Sequence, residues 1–194
     1  LSSFGIEVLL DLPGVGKNLR DHPAVYMQYV SENKHPKIVP PLQIGMRYTT
    51  PASRFRNDMS IRPLQIRTEH MPVDFNPENG LTPTGFSIAL QKALSAGEIR
   101  LASADPQIQP ILDYRYFSHP YDLERVRGAV RLCAEITSRP EFEPARLTRF
   151  APTDDTLKKD KDLDEWILSN TTTQHHSSGT CKMGPSSDHM AVVD

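Results

Sequence analysis

The chain has 194 residues, and its 22 Lys and Arg against 24 Asp and Glu give a net charge of −2, which supplies no electrostatic reason to expect nucleic acid or an anionic membrane as a partner. A hydrophobic fraction of 38% with 24% charged residues excludes a disordered composition and allows a sizeable core. Cys133 and Cys181 lie far apart and no apolar run approaches the about 18 residues of a membrane span, so we expect no disulfide framework, structural zinc site or membrane helix.

The chain begins with strand-like patterns. Residues 4–12 are an apolar stretch typical of a strand or of the end of a helix–strand unit, and the Pro-Gly-Val-Gly sequence at 13–16 breaks it. Residues 24–30 are rich in aromatic and β-branched types and predict a buried strand. Residues 31–58 contain four prolines and are predicted to be irregular.

Four further segments predict strands. Residues 59–70 alternate apolar and polar side chains, which indicates a half-buried strand, although Pro63 weakens one side of it. Residues 85–92 form another strand, and residues 97–103 alternate clearly enough to pair with it across a turn near 95–97. A short strand is predicted over 108–114.

The periodicity then changes to that of helices. Between residues 121 and 138 apolar side chains recur at spacings of three and four, which predicts an amphipathic helix directly after Pro120. A second helix is predicted over 163–169, with three aspartates near its start. Strands without intervening helices, followed by helices, predict an α+β fold with a mainly antiparallel sheet and helices packed on one face.

A glycine-containing motif occupies residues 12–23, Leu-Pro-Gly-Val-Gly-Lys-Asn-Leu-Arg-Asp-His-Pro. A phosphate-binding fingerprint would need a third glycine at the position of Leu19. Gly14 and Gly16 are therefore interpreted as turn residues, and His22 as a structural residue that satisfies loop backbone.

A second motif occupies residues 175–185, His-His-Ser-Ser-Gly-Thr-Cys-Lys-Met-Gly-Pro. It resembles the His-x-x-Gly-Thr-Cys-x-Met-Gly motif of the glucose–methanol–choline oxidoreductases, and residues 12–23, 97–106 and 191–194 resemble other segments of that family in the same order. Ser177 departs from the family pattern, which usually has Pro there, and this loosens the backbone restraint.

The resemblance implies three parts of a longer protein. Residues 1–22 would be a remnant of the flavin domain, residues 23–169 the substrate-binding domain with one sheet face covering the flavin site, and residues 170–194 the segment that returns to the flavin domain. The missing flavin-binding part of the same chain would be the partner. FAD would be the cofactor, but the unit that grips its ADP half is absent, so this chain alone is not expected to hold FAD tightly. Both ends look cut from something longer, so a targeting segment could have been lost. The family's second active-site residue, a His or Asn, would lie beyond Asp194.

The resemblance also assigns roles to two histidines. An alcohol is too weak an acid to ionise at neutral pH, so its oxidation needs a base such as histidine beside it. His176 aligns with the family's catalytic histidine and would be that base, while His175 would line the same pocket beside the flavin ring. We expect no metal site at the two histidines because no carboxylate or Cys stands at ligand spacing. Cys181 is expected to be an interior packing residue rather than a nucleophile.

The full-length protein is thus expected to be an FAD-dependent oxidase or dehydrogenase that acts on the CH–OH group of a small alcohol. Two alternatives stay open: a family member without redox function, such as a hydroxynitrile lyase, and a ligand-binding domain without catalysis. The sequence does not name the alcohol. Choline would need an aromatic cage and usually an acid, and the lone Trp166 falls in the second predicted helix, where a core position is expected.

Overall fold

A computed structural model describes residues 1–33, 44–51, 53–67, 71 and 75–194. Its strands are β1 (Lys17–Leu19), β2 (Pro23–Ser31), β3 (Met46–Tyr48), β4 (Met59–Leu64), β5 (Thr82–Leu90), β6 (Gly97–Arg100), β7 (Ile111–Asp113), β8 (Leu147–Ala151) and β9 (Thr172–Thr173). Its α-helices are α1 (Pro120–Thr137), α2 (Asp154–Lys158) and α3 (Asp160–Asn170). None of the helices in this part of the chain is long and apolar enough to span a bilayer.

Most predicted elements are confirmed. The strands predicted at 24–30, 85–92 and 108–114 are β2, β5 and β7, and the two predicted helices are α1 and α3. The strand predicted at 59–70 is observed as β4, and residues 68–70 lie outside the described part. Of the segment predicted to be irregular, residues 34–43 and 52 are not described, and Met46–Tyr48 proves to be the edge strand β3.

The main sheet has the strand order β3-β4-β5-β2-β8, with β9 pairing to β2, and all these pairs are antiparallel. One face packs against α1 and α3. The core between them includes four sheet residues, Val25, Met27, Met59 and Ile88, and four helix residues, Val126, Val130, Leu163 and Ile167, each fully buried. Burying each such side chain contributes roughly 1.5–3 kcal/mol. The α+β fold with helices on one face is therefore confirmed.

The opposite face of the main sheet is called the open face below. Side chains alternate between the two faces of a strand, so the residues that alternate with the core positions belong to it. It carries Ala24, Tyr26, Gln28, Arg47, Ser60, Arg62, Leu64, Ser87 and Ala89. Beyond Gln28, the open face is covered by a second apolar cluster that includes Val30, Ile66 and Phe75.

The predicted pairing of residues 97–103 with 85–92 is wrong. Residues 97–100 form β6, which lies between β1 and β7 in a separate three-stranded sheet. The reason is the carboxylate of Asp122, which accepts hydrogen bonds from the backbone N–H of Leu94 at 3.0 Å and of Ser95 at 2.7 Å. These bonds hold the turn after β5 against the start of α1, so β6 leaves in another direction instead of closing a hairpin.

Asp122 belongs to a buried ion cluster. Arg125 lies between Asp122 and Asp58, at 2.6 Å and 3.0 Å, and all three side chains are 0% exposed. Because removing one member would leave an uncompensated buried charge, this cluster fixes α1 against the loops on either side of it. The turn at residues 93–95 is thereby fixed as well.

Residues 4–12 do not form the predicted strand or helix end. Residues 2–4 form a single 3₁₀ turn, and no strand among the described residues pairs with the segment that follows. Leu9 and Leu10 are 88% and 70% exposed. A strand requires a neighbour for its backbone groups, and this chain supplies none at that point.

Candidate active site

The two sequence motifs meet in space. Ser178 and Arg20 exchange two backbone hydrogen bonds of 2.8 Å and 2.9 Å, and the Gly16 N–H donates to the Thr180 carbonyl at 2.9 Å. The loop that carries both histidines is therefore fastened along the segment that precedes β2. His175 has a left-handed backbone with φ of 61°, and its N–H donates to the Thr173 hydroxyl at 2.8 Å.

Gly179 permits this close approach. A Cβ atom at that position would lie 2.6 Å from the Asn18 carbonyl oxygen, and the residue has φ of +85°. The Asn18 amide also donates to the Gly179 carbonyl at 3.2 Å. Only glycine fits both the backbone conformation and the contact.

Arg20 joins this pair of segments to the turn after β5. Its guanidinium donates to the carbonyls of Ala93, Leu94 and Ser95 at 3.0, 2.8 and 3.2 Å, and to the Asn18 side chain at 2.9 Å. The turn is therefore held by Asp122 through its N–H groups and by Arg20 through its carbonyls. This turn, which contributes Ala93 to the lining of the site, is thus connected through Asp122 to the buried ion cluster.

Asp21 organises the histidine loop. Its carboxylate accepts hydrogen bonds from the Tyr116 hydroxyl at 2.5 Å, the Thr173 hydroxyl at 2.5 Å and the His176 backbone N–H at 3.0 Å. Burial alone would raise the pKa of Asp21, but these hydrogen bonds, with one from the backbone of His22, outweigh burial and hold the pKa below its ordinary value. Asp21 is therefore an anion at neutral pH that fixes the backbone of His176.

His22 lies beside His176, which the sequence interpretation of His22 as a purely structural residue missed. The two ring centroids are 5.0 Å apart in an edge-to-face arrangement. Both rings border a cavity of about 280 Å³ that is also lined by Arg20, Gln91 and Lys92, called the His176 cavity below. Burial, and then the proximity of His176, lower the pKa of His22, so its ring is biased to the neutral form.

His175 borders a different cavity. This space of about 510 Å³ lies on the open face and is lined by Tyr26, Gln28, Leu64 and Thr172 among others. In the described residues His175 therefore borders this cavity and His176 borders the other. The role of His175 beside a cofactor stays a prediction.

Ser177, the departure from the family pattern, contributes a hydrogen bond of its own. Its hydroxyl lies 2.8 Å from the hydroxyl of Tyr114, whose ring stacks on Tyr116 at 4.9 Å. Since Tyr116 also binds Asp21, the loop is restrained by side-chain contacts where a proline would have restrained it by its ring.

Two predictions about other side chains have different outcomes. Trp166 packs against the main core, as expected. Cys181 was predicted to be buried, and this is wrong, because it lies exposed on the surface. The next apolar side chain along, Met183, is 71% exposed too, so the chain itself supplies no cover for this segment. Among the described residues no group of three or more His, Cys, Asp or Glu could hold a metal ion.

The first glycines of the 12–23 motif serve packing within the chain. A Cβ at Gly14 would lie 2.1 Å from the Met190 carbonyl oxygen, and one at Gly16 would lie 2.5 Å from that of Ile99. Their small size is thus used against the chain's own backbone, and the motif offers no cradle for the pyrophosphate of a dinucleotide.

Comparisons with known proteins agree with this arrangement. Residues 93–194 match the model of a family described as GMC oxidoreductase. The chain is 33% identical to oxygen-dependent choline dehydrogenase 1 of Chromohalobacter salexigens, in an alignment that covers 100% of this chain and 38% of that protein.

Solved structures share the fold. Pyridoxine 4-oxidase from Mesorbium loti superimposes with a TM-score of 0.83 at 25% identity, covering 100% of this chain and 38% of that one. A fungal aryl-alcohol oxidase gives a TM-score of 0.73 at 19% identity, covering 99% and 43%, which shows the fold alone. The chain therefore spans well under half of the length of these relatives.

Proposed function

This chain belongs to the GMC oxidoreductase family, and we propose that it is the substrate-side part of an FAD-dependent enzyme that oxidises the CH–OH group of a small alcohol. The observation that carries the proposal is the position of His176. It stands at a cavity, beside a neutral-biased His22, on a loop that Asp21 and Arg20 hold in place.

In this proposal His176 takes the proton of the alcohol hydroxyl onto its imidazole. Its side chain is exposed, so a substrate can reach it. Asp21 binds the backbone N–H of His176, not its ring, so the carboxylate positions the base without occupying its proton acceptor. His22, with its lowered pKa, adds no second positive charge beside the imidazolium that forms.

The cofactor proposed is FAD, which would supply the hydride acceptor when bound. His175 and His176 are the residues of this chain proposed to contact the flavin ring. The rest of the longer protein is proposed to hold the ADP half, because Gly14 and Gly16 of this chain are used in its own packing. Exposed apolar side chains support such a missing partner: Leu9, Leu10, Ile108 and Met183 are each more than half exposed. We therefore propose that residues 1–22 and 170–194 belong to the flavin domain and that residues 23–169 form the substrate domain.

The activity is tested by mixing the full-length flavoprotein with small alcohols in the absence of oxygen. Loss of the visible absorbance of oxidised flavin supports an alcohol oxidoreductase. Cleavage of a cyanohydrin without flavin reduction would support the lyase alternative instead. If neither flavin reduction nor cyanohydrin cleavage occurs with any compound tried, a domain without catalysis is favoured.

The role of His176 is tested by His176→Ala in the same full-length protein, with His175→Ala as the matched control. Loss of a general base typically slows the chemical step by about 10²–10⁴. We expect that loss in the rate of flavin reduction for His176→Ala, with flavin still bound. His175→Ala removes a ring of the same kind and should change substrate affinity more than rate. A near-normal reduction rate in His176→Ala contradicts the assignment, and equal losses in both variants indicate loop distortion.

A further inference from the structure

The open face has a floor of small residues overlaid by long polar ones. Ala24, Ser60, Ser87 and Ala89 are almost fully buried, although they point away from the helices. Gln91 and Gln174 bond to the floor residues Ser60 and Ser87, Arg47 bonds to Gln91, and Arg62 lies on the same face of β4. The face is therefore polar and lies next to both histidine cavities.

Two cations of this face have no anionic partner in the part of the chain that the structure describes. Arg47 is exposed and donates only to the Gln91 side chain, at 3.3 Å, and Gln91 in turn donates to Ser60 at 3.1 Å. Neither Arg47 nor Arg62 forms an ion pair with a carboxylate of the described residues. By contrast, most other arginines of this part of the chain, such as Arg125, are paired.

Two carboxylates of the described residues, Asp21 and Asp58, already have partners. Asp21 accepts from Tyr116, Thr173 and the His176 backbone, and Asp58 is buried against Arg125 on the helical side. Both Arg47 and Arg62 lie close enough to His22 to help lower its pKa, after burial and His176. Arg47 and Arg62 therefore add positive charge near His22, which the negative charge of Asp21 opposes.

Gln174 adds an independent observation. It directly precedes the histidine pair, and its amide N–H₂ donates to the Ser87 hydroxyl at 3.1 Å. Its carbonyl oxygen is buried and has no hydrogen-bond partner among the described residues. A buried acceptor without a partner is unfavourable, so a hydrogen-bond donor that reaches it is favoured there.

We propose that this face selects an alcohol that carries an anionic group, bound by the guanidinium groups of Arg62 and Arg47, with its hydroxyl toward His176. The inference rests on the proposed function and names its substrate class. Arginine binds carboxylate, sulfonate or phosphate oxygens through paired N–H donors. A quaternary ammonium alcohol needs an aromatic cage or a carboxylate, and among the described residues of the open face Tyr26 is the one aromatic side chain outside the second apolar cluster, which contains Phe75 and Phe150.

The test uses three primary alcohols of matched shape: 2-hydroxyethanesulfonate as the anion, 3,3-dimethylbutan-1-ol as the neutral compound and choline as the cation. We expect kcat/KM for flavin reduction in the full-length protein to fall in that order. Arg62→Gln should lower the anion-to-neutral ratio by about 10- to 100-fold, the loss expected for a hydrogen bond to a charged group. Arg139→Gln removes the same charge from an exposed ion pair with Glu135 and should leave the ratio unchanged.

A binding measurement separates this inference from the proposed activity. Calorimetry of the full-length protein with ethanesulfonate and with ethyltrimethylammonium needs no turnover. Tighter binding of the anion, weakened by Arg62→Gln and not by Arg139→Gln, supports the inference even if no alcohol reduces the flavin, which would refute only the activity. Equal or tighter binding of the cation, or an Arg62→Gln protein with unchanged affinity for the anion, would overturn it.

Discussion

Replacing Asp21 by Ala removes the acceptor that joins three elements around the histidine loop. Four donors lose their partner: the hydroxyls of Tyr116 and Thr173 and the backbone N–H groups of His22 and His176. A buried donor left without an acceptor costs about 1–3 kcal/mol, and the lower end applies to half-buried groups that water can reach. We therefore expect Asp21→Ala to lower the free energy of unfolding of this chain by roughly 3–4 kcal/mol.

Urea unfolding followed by circular dichroism measures this loss, and a fall in Tm of roughly 10 °C should accompany it. Tyr116→Phe is the matched control, because it removes one hydroxyl and leaves Asp21 with its other donors; it should cost about 1 kcal/mol. In the full-length protein Asp21→Ala should also slow flavin reduction, because the His176 backbone loses its anchor. Unfolding within about 1 kcal/mol of wild type would refute the reasoning.

The pH dependence of the free energy of unfolding tests the same role of Asp21, and the direction of the expected change follows from its pKa. The folded-state pKa of Asp21 is lowered: burial opposes this, but the hydrogen bonds from Thr173 and Tyr116 outweigh it. Its stabilisation is therefore fully present above the unfolded pKa of about 3.9 and is lost as the pH falls through the lower folded value. Wild type should lose stability more steeply than Asp21→Ala below about pH 4. Parallel curves would show that Asp21 is not held as an anion.

Two further predictions concern packing and exposure. Gly179→Ala should lower the free energy of unfolding by at least about 2 kcal/mol, because its Cβ would lie 2.6 Å from the Asn18 carbonyl oxygen and its φ is +85°. The backbone amides of Arg20 and Ser178 should then become accessible to hydrogen exchange. Gly128→Ala in α1, where a Cβ meets nothing within 4 Å, should instead stabilise by about 0.5–1 kcal/mol, and the same loss in both would contradict the packing argument. In the folded chain iodoacetamide should label the exposed Cys181 but not Cys133, whose pKa burial raises to about 12. Mass spectrometry that finds Cys133 labelled without denaturant would show that the core opens.

Periodicity was sufficient where an element is long. The strand at 24–30 and the helix at 121–138 repeat their apolar spacing several times, and both are observed within a few residues of their predicted bounds. The order of the motifs along the chain was sufficient to identify the family. β1, β3 and β9, with two or three residues each, show at most one alternation and were not predicted.

Only the tertiary structure decided how the site is assembled. Asp21 and His176 are 155 positions apart, and nothing in the sequence near either residue states that they meet. The alternation at 97–103 was genuine, but a single carboxylate, Asp122, turns the chain away from β5 and so chooses the partners of β6. Local sequence sets which residues can be a strand or a helix, since that depends on side-chain spacing. Pairing and site geometry depend on long-range hydrogen bonds and buried charges, whose energies exist only once distant segments are brought together.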